Sequence, residues 1–392
     1  GIRDTSRGLV GSEMCIRDRL TADGENIRSA WRWATERGEV DALGQAVEPL
    51  CRYYEWQGLA LDGVDACRRV IERFSSSHSL EVDSLLARAH AWYAVFCRLL
   101  GRPDEANRHE QQALARLDAL AEYGASTDAE RGHVLLCVGT NALYHDDFPV
   151  ADAALWASSQ AFRSIGDHWG EAQARQVIAW TLFNRGQIRE CLAESRDALS
   201  ARRSLGDTRS IAESLMGLAS CFNALGSFSE GLDAAREALI HMERCGDNKG
   251  AASILGEMAT AYILMGQMEQ GMDFANEVIV QMEDLGMPMW IALEQCTNNS
   301  NYSLHSGRYA ETQATLKDAL AIARRQDMPW PIGAGPLRLA KLALAAHKPG
   351  EATTFLAEAI PLLASIERLD ELGDAYITLA TSVLLQSETE QA

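Results

Sequence analysis

The chain has 392 residues, 47% of them apolar, with 36 basic and 55 acidic side chains and a formal net charge of −19. That balance repels a phosphate backbone, so no nucleic acid is expected on this segment, and no apolar run reaches the roughly 18–20 residues that span a bilayer. Nine cysteines occur singly, without a C-x-x-C pair, which reads as reduced, mostly buried thiols in a cytoplasmic protein.

Residues 1–19, GIRDTSRGLVGSEMCIRDR, show no helical period and no adequate signal-peptide core. The string SEMCIRDR resembles a translated sequencing-adapter artefact, so a non-native or disordered tail is expected here, with the native N-terminal part missing. Residues 20–39 follow as an amphipathic opening helix, carrying Glu25, Asn26, Ile27, Arg28, Ala30, Trp31, Trp33 and Ala34 and ending at Gly38.

From there a beat of 40 residues sets the pattern. Gly166 and Asp167 recur as Gly206 and Asp207, then Gly246 and Asp247. The series continues, worn down, at Leu285 and Gly286 and at Gln326 and Asp327; a second glycine lies midway at Gly186, Gly226 and Gly266. A fixed period in this range marks a solenoid. Asp207 suits an N-cap, and Leu215, Leu218, Ala219 and Phe222 form one apolar helix face. Gly226 ends that helix, and a second one carries Phe228, Leu232, Ala235, Ala238 and Leu239. Ala179, Ala219 and Ala259 share one position, and Leu182, Phe222 and Tyr262 the position three later.

This order of small, aromatic, turn glycine, aromatic, acidic and small residues resembles the tetratricopeptide repeat, with helices longer by about a turn in total. The resemblance implies an all-α, right-handed solenoid of about eight helix-turn-helix units, at 40–74, 82–121, 128–165, 168–205, 208–245, 248–285, 289–325 and 332–366. A capping helix over 370–386 would end a superhelical domain spanning 40–386, with 387–392 frayed. Breaks near 75–79, 124–127 and 329–335 read as loops between repeats.

The pattern E-N-I-R-x-A-x-x-W-A followed by E-R-G resembles a helix that opens the superhelix of multidomain bacterial signal-transduction ATPases, including the maltose-activator type and related LuxR-like regulators. That resemblance implies the sensor region of a larger transcriptional regulator, its upstream ATPase or effector domain lying outside this sequence. No G-x-x-x-x-G-K-[ST] loop and no basic helix-turn-helix occurs here. A stand-alone adaptor, or the regulatory tail of a cyclase or kinase, remains an alternative; the codons upstream of Leu20 distinguish the three.

No catalytic motif stands out, and neither enzyme activity nor a cofactor is expected. His109 and Glu110 lack the second histidine of H-E-x-x-H. His133 and Cys137 lie four apart, but two ligands do not make a zinc site, and His145, Asp146 and Asp147 read as solvated turn residues. Tetratricopeptide superhelices present the first helix of each unit on their inner face. Here that face would show Gln173, Gln176, Trp180, Phe183 and Asn184, then Glu213, Met216, Ser220 and Asn223. Ser253, Gly256, Thr260 and Ile263 follow, then Glu294, Thr297 and Asn301. Amides and hydroxyls beside an aromatic suit a protein or peptide partner or a small neutral ligand; a solvated groove without a ligand is the plainer reading. The candidate ligand-binding residues are Gln173, Gln176, Trp180, Asn184, Glu213, Asn223, Asn298 and Asn301, with no metal site.

Asn298 or Asn299 falls where neighbouring units have Leu218 or Met258, marking a ligand site or a looser repeat. Trp290 and Trp330, each near a proline at a helix start, read as packing between units. Trp31, Trp33, Tyr53, Tyr54, Trp56, Trp92 and Tyr93 read as a thick core, with a docking face as the alternative.

Overall fold

The structure, a computed structural model, describes residues 24–123, 127–325, 327–366 and 368–391. The expectation for residues 1–19 therefore lies outside the described residues. Among the described residues there are helices and turns but no strand. Helix α1 (Gly24–Arg37) opens the chain. It is followed by antiparallel pairs: α2 (Val40–Trp56) with α3 (Ala60–Phe74), α4 (Leu80–Leu99) with α5 (Pro103–Glu122), and α6 (Asp128–Tyr144) with α7 (Phe148–Ser164). Next come α8 (His168–Asn184) with α9 (Ile188–Leu205), α10 (Thr208–Ala224) with α11 (Phe228–Cys245), and α12 (Asn248–Leu264) with α13 (Met268–Asp284). The seventh pair starts as α14 (Pro288–Glu294), passes through a π-helical turn at Gln295–Asn299, and continues as α15 (Ser300–Ser306) before α16 (Tyr309–Arg325). Helices α17 (Pro329–Ala345) and α18 (Pro349–Ser365) form the eighth pair, and α19 (Leu369–Gln391) packs on its end. Residues 387–391, expected to fray, continue that last helix; Glu and Gln are good helix formers. The architecture is the all-α, tetratricopeptide-like solenoid that the beat implies.

The beat is a turn requirement. Gly206 and Gly226 sit at φ of +71° and +76°, a left-handed conformation that reverses the chain within two residues. Turns without glycine keep the geometry, with Asp146, Asp327 and His347 at φ of +54°, +50° and +58°. The aspartate after the glycine then caps the next helix. Asp167 accepts from the Gly170 amide at 2.9 Å, Asp207 from Ser210 at 3.2 Å and Asp247 from Gly250 at 2.7 Å.

Packing between pairs follows the same period. Phe162, Arg202, Met242 and Met282 occupy one register position and are all buried. Phe162 and Met242 fit beneath the first turn of the next helix, where a β-carbon on Gly170 would lie 2.5 Å from the Phe162 ring and one on Gly250 2.7 Å from the Met242 sulfur. At the Arg202 position the slot residue is Ser210, and the guanidinium is bonded on several sides. It donates to Gln176 Oε1 at 3.0 Å, the Ser210 carbonyl at 2.8 Å, Ser214 Oγ at 2.9 Å and the Ala172 carbonyl at 2.9 Å.

The π turn adds one residue to the seventh pair. Its left-handed turn falls at Gly307, and the step from Gly286 to Asp327 becomes 41 residues. Trp290 and Trp330 are therefore not equivalent, although 40 apart in sequence: the first is two residues past Pro288, the second one residue past Pro329. The N-terminal aromatics are mainly core. Trp31, Tyr54, Trp92 and Tyr93 are buried, Tyr53 and Trp56 are half-buried, and Trp33 alone of the set is exposed.

Two substitutions test these devices. Gly226→Ala has open space around its new methyl, so its expected cost of about 1–2 kcal/mol comes from the backbone alone. Arg202→Ala removes one donor group from four acceptors and should cost about 3 kcal/mol; chemical denaturation of the full chain measures both.

Candidate functional site

The first helices of the units turn toward a common lumen, and the solenoid closes across it. Gln57, at the end of α2, donates to the Gly246 carbonyl at 3.2 Å, a contact between residues 189 apart. Lys249 pairs with Glu55 at 3.7 Å, and the Arg209 guanidinium lies 4.3 Å from the centre of the Trp56 ring. Arg368, ahead of α19, holds Asp146 at 2.8 Å across 222 residues. Tyr144 meets Trp290 edge-on, with ring centres 6.4 Å apart. Together these contacts bring units one, three, five, six and seven and the segment ahead of α19 around one space.

That space is a cavity of about 590 Å³, within the roughly 300–1,000 Å³ usual for ligand sites. Gln173, Gln176, Trp180, Asn184, Glu213 and Asn298 of the sequence-derived set line it. Asn223 and Asn301 do not. Asn223 sits instead against the outer helix of its own pair, where a β-carbon on Gly231 would lie 2.5 Å from its Oδ1, and its Nδ2 donates to the Glu257 carbonyl at 3.0 Å. The extra residue of the π turn displaces the 301 position from the inner register.

Several lining residues already have structural work. Gln176 is 3% exposed and accepts from Arg202. Gln173 donates to Ser210 Oγ at 3.0 Å, and Glu213 is paired with Arg209. Trp180 and Asn184 are half-buried along the lumen, whereas Asn298 is buried. Asn298 is integrated rather than loose: its Nδ2 donates to Glu294 Oε1 at 2.9 Å and its Oδ1 accepts from Thr260 at 3.0 Å.

The charges of the lining are uneven. Four basic residues (Arg52, Arg209, Lys249, Arg368) face six acidic ones (Glu55, Asp146, Glu213, Asp247, Glu257, Glu294). Every basic one has a carboxylate: Arg52 takes Glu48 at 2.9 Å and Arg209 takes Asp247 at 2.7 Å, beside the Lys249 and Arg368 pairs above. Glu257 and Glu294 have no basic partner among the described residues. Glu257 accepts from Ser220 at 2.6 Å and Asn223 at 3.2 Å, and burial raises its carboxyl above the usual range against those bonds. Burial pushes Glu294 up to about 7, the Asn298 hydrogen bond opposes this, and the Glu257 charge adds to it. Glu294 lies at an expected inner-face position; Glu257 is legible only as an acidic residue in a helix.

The other titratable clusters are closed. Asp146, expected to be solvated, is buried against Arg368, while Asp147 caps the Val150 amide. His145 accepts from Arg98, and burial pushes it down to about 4. His133 lies 3.4 Å from Glu48 and 5.1 Å, edge-on, from Phe162. Among the described residues no group of three or more His, Cys, Asp or Glu could hold a metal ion, and no helix is long and apolar enough to cross a membrane.

No protein-family model and no curated protein matches this sequence. Solved structures are similar in fold. A Rap protein complexed with Competence and Sporulation Factor superposes with a TM-score of 0.61 at 10% identity, covering 91% of this chain and 99% of the other. The Rap conjugation gene regulator of the plasmid pLS20, in complex with the Phr* peptide, gives 0.60 at 16% identity, with 88% and 96% covered. The apo form of RapI gives 0.51 at 10% identity, with 73% and 99% covered. At such identities the likeness is one of fold, a tetratricopeptide-like solenoid of helix pairs.

The folded protein holds the Glu294 proton to higher pH than the unfolded chain does. Stability therefore falls as pH rises from the ordinary glutamate range through about 7. Glu294→Gln should match the parent near pH 5 and exceed it by about 1–3 kcal/mol near pH 8, read as a pH-dependent difference in Tm.

Proposed function

We propose that this chain is a non-enzymatic interaction scaffold that takes a peptide or a peptide-like ligand into its lumen. The observation that carries this reading is the cavity itself: about 590 Å³, lined from most of the units and shut by contacts between units far apart in sequence. The lining is of the mixed kind that binds peptides, with Trp180, Phe183 and Met216 for apolar side chains and Asn184 and Thr260 for backbone amides. Two of the similar structures were solved with such partners, one with the Phr* peptide and one with Competence and Sporulation Factor.

The closing contacts give the ligand something to act on. Glu55–Lys249, Gln57–Gly246 and Asp146–Arg368 stand at the seam, so a ligand that fits the open or the closed form better shifts the balance between them. The pattern in the opening helix supports a sensor region of a larger bacterial regulator, with an ATPase or effector module as the reader of that shift. A P-loop encoded upstream of Leu20 would support that placement, a cyclase or kinase domain would replace it, and a nearby start codon would make the chain a stand-alone adaptor.

Selection of a randomised peptide library against the full chain tests the lumen. Selected peptides should compete with one another and lose binding by at least tenfold in Ser253→Trp, which fills the cavity from an inner helix. Peptides indifferent to that variant bind elsewhere and overturn the reading. The seam has its own test: Lys249→Glu places two carboxylates together at Glu55, and small-angle scattering should show a larger radius of gyration with helix content unchanged.

A further inference from the structure

The cavity has one wall whose charge the protein leaves unbalanced. Glu257 of α12 and Glu294 of α14 stand on neighbouring inner helices, and both border the lumen. Glu294 is only 7% exposed. Its Oε1 is held by Asn298, while its Oε2 makes no hydrogen bond among the described residues and lies 3.5 Å from where a β-carbon on the lumen-facing Gly256 would be. A buried carboxylate with one free oxygen toward an open space is costly unless something completes it. Every basic residue of the lining is already taken by another carboxylate, so among the described residues no lining cation is left to complete it. Oxygen acceptors surround the spot: Thr260 Oγ1 and Asn298 Oδ1, 3.0 Å from each other, join the two carboxylates. Gly256 itself leaves the approach free of a side chain.

We propose that the lumen recognises a cationic group, an ammonium or a guanidinium, seated between Glu257 and Glu294, and hence that the peptide it takes carries a lysine, an arginine or a free N-terminus at that point. This rests on the peptide reading above and narrows it. Entry of the cation favours the ionised form of Glu294, whose carboxyl burial pushes up to about 7, so binding releases a proton near neutral pH. The π turn is part of the device. Asn298 lies within it, four residues after Glu294, and there it holds Oε1, reaches the Gly256 carbonyl and leaves Oε2 to the ligand.

The test uses the full chain and synthetic peptide libraries of fixed length, N-acetylated and C-amidated, with one position held as lysine, arginine or norleucine. A free-amine version and the small diamine 1,5-diaminopentane complete the probes. Salt is kept high enough to screen the general attraction of an acidic protein for cations. Lysine or arginine libraries should bind at least tenfold tighter than norleucine. The Glu257→Gln, Glu294→Gln double variant should lose that preference while still binding the norleucine library. Peptide binding that Ser253→Trp blocks but that ignores lysine against norleucine would overturn the cation site and leave the peptide reading standing. A preference that survives in the double variant would also overturn it. Diamine binding that depends on the two glutamates, without peptide binding, would keep the cation site and overturn the peptide reading. Binding of no probe would overturn both.

Discussion

One backbone conformation organises this molecule. At most reversals between helices a single residue enters the left-handed region, and the chain turns back within two residues. Short, uniform turns force each helix against its predecessor at nearly the same height. The helices must then be of similar length, seventeen or eighteen residues from α6 to α13. Equal helices with equal turns give equal rotations from unit to unit, and the accumulated rotation brings unit one back beside unit six. The lumen exists because that sum closes. Glycine is the easy solution, but Asp146, Asp327 and His347 show that position, more than residue type, is what the fold demands.

This explains which parts of the structure were legible in the sequence. The turns and caps were, because glycine and aspartate do their work within a few residues. The buried alanines were, because they repeat in register. Arg202 was not: it occupies the position of Phe162, Met242 and Met282, and only the surrounding acceptors explain a guanidinium there. The π turn was not either, because an extra residue inside a helix leaves no mark in composition. For the inner face, position was readable but occupation was not. Gln173, Gln176 and Glu213 reach the lumen wall yet are held by Ser210, Arg202 and Arg209, whereas Asn223 serves the carboxylate of a neighbouring unit. The contribution of Arg52, Glu55 and Arg368 depends on where distant turns finish, which no local pattern encodes.

The electrostatics of the cavity separate structure from recognition. Near the seam, acids and bases alternate and neutralise one another, as pairs that hold units together should. At the far wall two carboxylates are supported only by neutral donors from Ser220, Asn223 and Asn298. Neutral donors orient a carboxylate without cancelling its charge. That difference, rather than the number of polar residues, marks the wall as facing something other than the protein.

Closure has a further consequence, for cooperativity. An open solenoid is nearly one-dimensional: each repeat leans on its neighbours, and the ends melt first. Here contacts across 189 and 222 residues tie early units to late ones. A terminal pair cannot fray without also releasing a pair on the opposite side of the ring. Unfolding should therefore look less like a zipper and more like the rupture of a hoop, and a molecule held in the lumen would brace the whole circumference at once.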